Sequence, residues 1–167
     1  MKFGIRYAKV RVDDPGELLA AVRWVAGETG TRIVLFDAEK MAGRAHVEAA
    51  LAHAARSWAR GDPIARTFEM EALLYAAGSR QTRIGLTFGL HEGLNRCWVA
   101  VGPSDDRAWT LLLGLVRFEP EPGDLSPAHR QRLCDLFGVT ATELAVVGKE
   151  RLPELVLERV ALLDAYR

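Results

Sequence analysis

The chain has 167 residues, a formal net charge of zero at pH 7 and 26% charged residues. This length suits one domain with a substantial core, and the composition is that of a globular protein. A neutral chain is no polycation, so binding to nucleic acid would need a local basic patch. The sequence has no signal-peptide pattern and no apolar run of about 18 residues. We therefore expect a cytoplasmic protein with no membrane partner.

The first quarter of the chain predicts a strand, a helix and a second strand. Lys2 to Val12 alternates apolar and polar residues, which is typical of a half-buried strand. Asp14-Pro15 predicts the start of a helix, because Asp is a good cap and Pro is tolerated in the first turn. Gly27 or Gly30 should end that helix. Arg32 to Phe36 is rich in β-branched and apolar residues and predicts a short strand.

Helices are predicted through the middle of the chain. Apolar residues at spacings of three and four indicate a helix from Arg44 to about Arg60. Thr67 should cap the next helix, which ends at Gly78. Ser79 should then cap a short helix that ends at Gly89.

The last third of the chain continues this mixture. It contains an acidic, proline-broken loop at Glu119–Asp124, the best candidate for a hinge. Interleaved strands and helices predict an α/β (α+β) fold, in which a small mixed β-sheet is flanked by several helices in a single domain, 1–167. The other predicted elements are a strand at 97–101, a helix beginning at Asp105 and Asp106, a helix from Ser126-Pro127 through Leu136, a turn into Thr142–Val147, and a last helix from about Pro153 to Tyr166.

The Gly78-Ser79-Arg80-Gln81 joint is the first candidate site. Free N–H groups at a helix start favour an anion, and Arg80 adds a mobile fork of hydrogen-bond donors. The alternative is a plain joint between two helices, with Gly78 as a left-handed C-cap.

Arginines cluster in the middle of the sequence and form the second candidate site. Arg56 and Arg60 are four residues apart on one helix, so they share a face. The C-terminal part is richer in acidic residues, so a neutral chain can still present a basic surface. Phosphate contacts there would make binding salt-dependent. The alternative is a solvated helix face. The further members of the cluster are Arg66, Arg80, Arg83 and Arg96.

The sequence shows no recognisable catalytic or cofactor motif. It lacks a Gly-x-Ser-x-Gly elbow and a Walker-type loop, and the glycines at 85–93 follow a helix rather than a strand. His46 and His53 share a helical face but have no further metal ligands at a suitable spacing. We therefore expect no enzyme, no cofactor and no metal. The enzymatic alternative is a pocket near Gly78 in which His91 and Glu92 act as acid and base.

The last predicted helix has apolar residues on more than one face. Leu152, Val156, Val160 and Leu163 form one stripe, and Leu155, Leu162 and Tyr166 form another. So wide an apolar surface is either enclosed by the core or offered to a partner.

Several strings in the middle of the chain resemble one known family. They resemble the kinase-binding small subunit of the KEOPS complex, the family of the PRPK-binding protein, and the end of the last helix is similar to that of archaeal members. The strings are Ala65-Arg66-Thr67, Glu71-Ala72-Leu73-Leu74-Tyr75-Ala76-Ala77-Gly78-Ser79-Arg80-Gln81, Gly89-Leu90-His91-Glu92-Gly93 with the apolar strand that follows, and Leu157-Glu158-Arg159-Val160-Ala161-Leu162-Leu163.

This resemblance implies a non-catalytic role in tRNA modification. KEOPS installs a threonylcarbamoyl group on the adenosine beside the anticodon, and its transferase subunit carries out the chemistry. The subunit resembled here binds the N-lobe of a kinase-like ATPase and supports its activity. In archaeal systems it also helps to recruit tRNA through the 3′ CCA end. The expected partners are thus the kinase-like ATPase, tRNA and, indirectly, the transferase.

With this resemblance, the candidate residues divide into two groups. The alternative from the sequence is a general RNA-binding module with no kinase partner. The residues expected to contact tRNA are Arg56, Arg60, Arg66, Arg80, Gln81 and Arg83. The residues expected to contact the kinase are Leu73, Leu74, Ile84, Phe88, Leu155 and Val156.

Overall fold

The structure, a computed structural model, describes residues 1–166 and groups them into two compact units. The first unit consists of Met1–Ala38 and Gly89–Glu121, and the second consists of Glu39–Phe88 and the residues from Pro122 onward. Each unit is therefore assembled from two separate stretches of sequence.

The first unit contains a four-stranded sheet. Its strands are β1 (Gly4–Val12), β2 (Arg32–Asp37), β3 (Gly93–Gly102) and β4 (Arg117–Glu119). The strand order is β2-β3-β1-β4, and each neighbouring pair is antiparallel.

The predicted class, a small sheet with several flanking helices, is confirmed, but the prediction of a mixed sheet is wrong. β1 and β2 run in the same direction, as expected for two strands joined by a helix. β3 lies between them and is antiparallel to both. β4 was not predicted, because three residues are too few for an alternating pattern to be recognised and the last of them begins the acidic loop.

Two helices cover one face of this sheet. Helix α1 (Pro15–Thr29) begins after Asp14, whose carboxylate accepts hydrogen bonds from the Gly16 and Glu17 amides, and ends at the left-handed Gly30. Helix α5 (Asp106–Leu112) is capped by Asp105. The core of the unit contains side chains from both helices and from three strands, namely Val22, Val25, Leu112, Val10, Val99 and Leu35.

The second unit is helical. Two starts agree with the sequence: Thr67 and Ser126 each accept a backbone hydrogen bond at a helix start. Thr140, which was not predicted to be a cap, does the same for the helix that begins at Ala141. Two short 3₁₀ helices, Ala38–Lys40 and Lys149–Arg151, complete the order of elements. The helices are α2 (Arg44–Arg60), α3 (Phe68–Ala77), α4 (Thr82–Leu86), α6 (Pro127–Phe137), α7 (Ala141–Val147) and α8 (Leu152–Ala165).

Helix α8 is mainly a core helix. It packs against α2, α3 and α6. Both predicted apolar stripes contribute buried residues, and Leu162 and Tyr166 remain exposed. The buried residues are Leu152, Leu155, Val156, Val160 and Leu163. No helix within residues 1–166 is long and apolar enough to cross a membrane.

Candidate functional site

The Gly78 joint has the geometry of a helix C-cap. Gly78 has φ 63° and ψ 32°, and its N–H donates to the Tyr75 carbonyl at 3.1 Å. The Ser79 N–H donates to the Leu74 carbonyl, also at 3.1 Å. A Cβ on residue 78 would lie 3.2 Å from the Arg159 carbonyl oxygen of α8. Glycine is therefore favoured here both by its left-handed backbone and by the close approach of α8.

The prediction that Ser79 caps the following helix is wrong. The Ser79 hydroxyl accepts from the Gln81 N–H at 3.1 Å, which closes a local turn. Helix α4 begins later, at Thr82, and Gln81 precedes it without a side-chain cap. Gly85 explains why α4 lies so close to α3, since a Cβ there would lie 2.9 Å from a methyl carbon of Leu74.

A groove of about 440 Å³ opens beside this joint, entirely within the second unit. Its walls come from the motif segment 77–80, from the end of α6 and from the last turns of α8. Its lining includes three exposed large hydrophobic side chains, Leu136, Leu162 and Tyr166, of which Tyr166 is 77% exposed.

Two arginines line the groove, and only one of them, Arg159, is ion-paired within the described residues. Arg159 makes a two-armed ion pair with Glu143, with nitrogen–oxygen distances of 3.0 and 2.9 Å, and also bonds the Phe137 carbonyl. This guanidinium holds the pKa of the Glu143 carboxyl below its usual range. Arg80 is exposed and makes no ion pair within residues 1–166. Arg80 is therefore the cation that the groove can offer to an anionic ligand.

The predicted basic surface is smaller than the sequence indicated. Arg60 pairs with Asp164 of α8 at 3.2 Å and with Asp62 at 3.4 Å, and the bond to Asp164 raises its pKa. Arg56 donates to the His53 ring at 3.0 Å. Asp164 lies 104 residues from Arg60, so no local pattern could have revealed this pairing. The other predicted RNA contacts, Arg66, Arg80, Gln81 and Arg83, are all exposed.

Two polar residues of the resembling strings turn out to be structural. The Tyr75 hydroxyl donates to Asp164 at 2.8 Å, and its ring stacks on His53 with centroids 5.2 Å apart. The hydrogen bond from Tyr75 is the main reason why the pKa of Asp164 is lowered. Buried Glu71 accepts from Ser57 and from the backbone amides of Ile64 and Ala65, the latter at 2.7 Å. Glu71 thereby fixes the loop that carries Arg66.

Five of the six predicted kinase contacts are instead part of the protein's own core. Apolar residues occur on every side of α3, so periodicity could not tell its buried face from its exposed face. Phe88 packs edge-on against Phe137, with ring centroids 5.9 Å apart. These side chains are enclosed by the protein itself, so the prediction that they contact a partner directly is wrong. The five buried residues are Leu73, Leu74, Phe88, Leu155 and Val156.

Helix α4 keeps two exposed apolar side chains. Ile84, the sixth predicted contact, is 36% exposed, and Leu86, which was not predicted, is 55% exposed. Both belong to the same short helix, next to the exposed Arg83. The sequence signal for Leu86 was weak, because a helix of five residues makes little more than one turn and shows no repeating apolar pattern.

The predicted acid–base pair lies in the first unit rather than at the groove. His91 Nδ1 is 3.7 Å from Asp37 Oδ2, and Glu92 is exposed. Burial, with a smaller effect from Asp37, raises the pKa of the neighbouring Cys97 thiol to about 12. Cys97 is therefore protonated near neutral pH and is a poor nucleophile. Within residues 1–166, no three His, Cys, Asp or Glu side chains form a metal-binding group.

His46 is hydrogen-bonded inside the second unit. Its Nδ1 accepts from the Ala42 N–H at 2.9 Å, so Nε2 carries the proton that bonds the Ala76 carbonyl at 2.8 Å. Burial lowers the pKa of His46 from 6.5 to about 4. The residue is thus a neutral structural link between α2 and the end of α3.

Comparison with known proteins adds no family assignment. No protein-family model and no curated protein matches the chain.

Proposed function

We propose that this protein is a cytoplasmic, non-catalytic accessory subunit of a KEOPS-type tRNA-modification complex of the archaeal kind. In this role it binds and supports the kinase-like ATPase subunit and recruits tRNA through the 3′ CCA end. Its relation to the threonylcarbamoyl-transferase is indirect, and it needs no cofactor. The proposal starts from the resemblance of the Glu71–Gln81 string and draws its structural support from the groove beside Gly78.

The groove is the observation that supports the proposal best. It combines an accessible aromatic ring and aliphatic side chains with an arginine that makes no ion pair within the described residues. Bases stack on such rings, and arginine donors suit phosphate oxygens. An unpaired RNA end, whose bases are free to stack, fits these features better than a duplex does.

The buried and the exposed residues of the Glu71–Gln81 string have different roles in this proposal. Glu71, Tyr75 and Gly78 hold the loop, α8 and the joint in place through the contacts described above. Arg80 and Gln81 are exposed at the end of the string. The buried residues would therefore position the groove, and the exposed residues would contact the RNA.

The kinase contact is assigned to the exposed residues of α4. Ile84 and Leu86 are the accessible large apolar residues of that helix, and they follow the exposed Arg83. Apolar side chains and arginine are both common at protein interfaces. The buried residues that the sequence suggested would act only indirectly, by supporting α4 from beneath. Leu74 does so at Gly85.

Titration with tRNA tests end recognition. Intact tRNA and tRNA without its CCA end are titrated against the wild type, Arg80→Ala and Arg23→Ala. Arg23 is an exposed arginine on α1 and serves as the matched control. We expect the wild type to bind the truncated tRNA about tenfold more weakly, the size of one lost stacked base.

The variants separate a groove contact from a general charge effect. Arg80→Ala should weaken binding of intact tRNA and bring it close to that of truncated tRNA, whereas Arg23→Ala should keep the wild-type preference. Equal binding of both tRNA forms by the wild type would contradict end recognition. The melting temperature of each variant should be unchanged.

A further inference from the structure

A row of positive charges crosses three neighbouring strands of the first unit's sheet. Lys9 of β1 is the register partner of Arg96 on β3 and of Arg117 on β4. Register partners in antiparallel strands point to the same face, so these three side chains lie side by side. Arg11, two residues after Lys9 on the same strand, also lies on this face, opposite Leu94.

This basic row, defined as Lys9, Arg11, Arg96 and Arg117, lacks compensating charge. None of its members makes an ion pair within residues 1–166. Among the described strand residues on this face, Glu119 is the one acid, and it lies opposite Tyr7 rather than opposite a cation. Like charges on directly opposed residues destabilise a sheet. The arrangement therefore costs folding free energy within the isolated chain.

The basic row is also accessible. Arg11, Arg96 and Arg117 are exposed and Lys9 is half-buried, whereas Tyr7 and Trp98, one pair earlier on the same face, are buried. The face thus changes from apolar and covered to basic and open within two residues of β1.

We infer that the basic row binds the phosphate backbone of RNA. Strands lie about 4.8 Å apart, so the row from Arg96 to Arg117 spans about 10 Å, which matches roughly three successive phosphates of one strand. Three of its four members are arginines, whose planar fork of donors suits phosphate oxygens. Leu94 is the single exposed large apolar side chain on the described strands, which does not suit insertion into a membrane.

Such a contact is independent of sequence and differs from the groove of the second unit. It rests on the proposed function, because the RNA is the same tRNA, but it assigns the first unit a role of its own. The row would hold the RNA body by charge, and the groove would read the free end. Binding through the row should therefore persist when the CCA end is missing, and should weaken as salt is raised.

Salt-dependent binding of tRNA without its CCA end tests the row. The double variant Lys9→Gln/Arg96→Gln is compared with Lys2→Gln/Arg23→Gln, which removes one lysine and one arginine that are exposed elsewhere in the same unit. The slope of log K against log salt is negative, and we expect it to be less steep in the row variant by about 2, roughly one for each phosphate that is no longer neutralised. Its affinity at low salt should fall about tenfold. The control should keep the wild-type slope.

The outcomes separate this inference from the proposed function. A row variant that behaves like the control would overturn the inference, while discrimination between the two tRNA forms would leave the proposed function standing. Absence of tRNA binding by the wild type would remove both. Competition by poly-glutamate as strong as that by tRNA would overturn the assignment to RNA and favour an acidic protein segment. Circular dichroism of both variants should show the wild-type fold.

Discussion

At the scale of single residues, Glu71 shows how a charged side chain can be part of the core. It lies on α3 with no exposed surface, and its carboxylate accepts from one hydroxyl and two backbone amides. A carboxylate is acceptor-only, so each of these donors is satisfied. The loop between α2 and α3 depends on this one side chain.

Replacement of Glu71 by glutamine should destabilise the protein. The new NH₂ group would face donors, and at least one buried amide would lose its partner, at a cost of about 2 kcal/mol. Urea denaturation measures the change. The control is Glu69→Gln, which alters a half-buried residue two positions earlier on the same helix and should change the free energy of unfolding by less than about 0.5 kcal/mol. Equal effects of the two variants would show that the buried hydrogen bonds do not matter.

His46 should make stability depend on pH. Its folded pKa of about 4 is below the unfolded value of 6.5, so the unfolded chain binds the proton more readily between these values. The contribution is complete above about pH 6.5 and is lost as the pH falls toward 4. The full loss is about 3 kcal/mol.

This pH dependence is measured by denaturation of the wild type and of His46→Gln between pH 4.5 and 7. The difference in unfolding free energy between the two proteins should shrink steadily as the pH falls. A difference that stays constant across this range would mean that His46 does not titrate on unfolding. His53, whose pKa is lowered mainly by burial, remains in both proteins and cancels in the comparison.

At the scale of elements, helix ends were predictable and helix faces were less so. Asp14, Thr67 and Ser126 act as caps because a short polar side chain next to an apolar run satisfies the first free amides. Helix α3 has apolar residues on every side, so its buried face could not be read from the sequence. Leu74 was therefore assigned to a partner although it lies in the core.

Helix α8 offers a direct test of core against surface. Val156 is fully buried, whereas Leu162 is about half exposed on the same helix. Val156→Asp should reduce the unfolding free energy by at least about 3 kcal/mol, because an unpaired charge would be buried. Leu162→Asp should cost less than about 1 kcal/mol. Thermal and urea unfolding distinguish the two, and a stable Val156→Asp protein would contradict the assignment of this face to the core.

The sheet carries the corresponding test of the basic row. Lys9 lies between two arginines in register, so Lys9→Gln should remove repulsion and increase the unfolding free energy by a few tenths of a kcal/mol, up to about 1. The gain should shrink at high salt because the repulsion is screened. Lys2→Gln, outside the row, should have no measurable effect. A loss of stability in Lys9→Gln would show that the row is not strained.

At the scale of the whole molecule, a formal net charge of zero conceals local charge. Along the sequence, the cations of the middle segment form a simple cluster, but in the structure Arg60 is paired with Asp164. In the basic row the relation between sequence and structure is reversed. Lys9, Arg96 and Arg117 are far apart in sequence, and only the strand register brings them together. The composition therefore gave the net charge of the chain, but it could not show where on the surface unpaired positive charges lie.

Both compact units are discontinuous in sequence. The order of helices and strands along the chain therefore does not show which of them pack together. The chain passes between them at residues 38–39, 88–89 and 121–122. The alternation of strands and helices was enough to predict the class of fold. The place of β3 between β1 and β2 depends on long-range pairing and was not predictable from local pattern.

The most direct test of the proposed role is the rate of threonylcarbamoyladenosine formation in a mixture of the kinase-like ATPase, the transferase and tRNA. Addition of this protein should raise that rate, and Ile84→Glu/Leu86→Glu should abolish the increase while keeping the wild-type melting temperature. Val146→Glu/Leu113→Glu, which alters two exposed apolar residues elsewhere, is the matched control and should stimulate like the wild type. A rate that is the same with and without the wild-type protein would contradict the proposal.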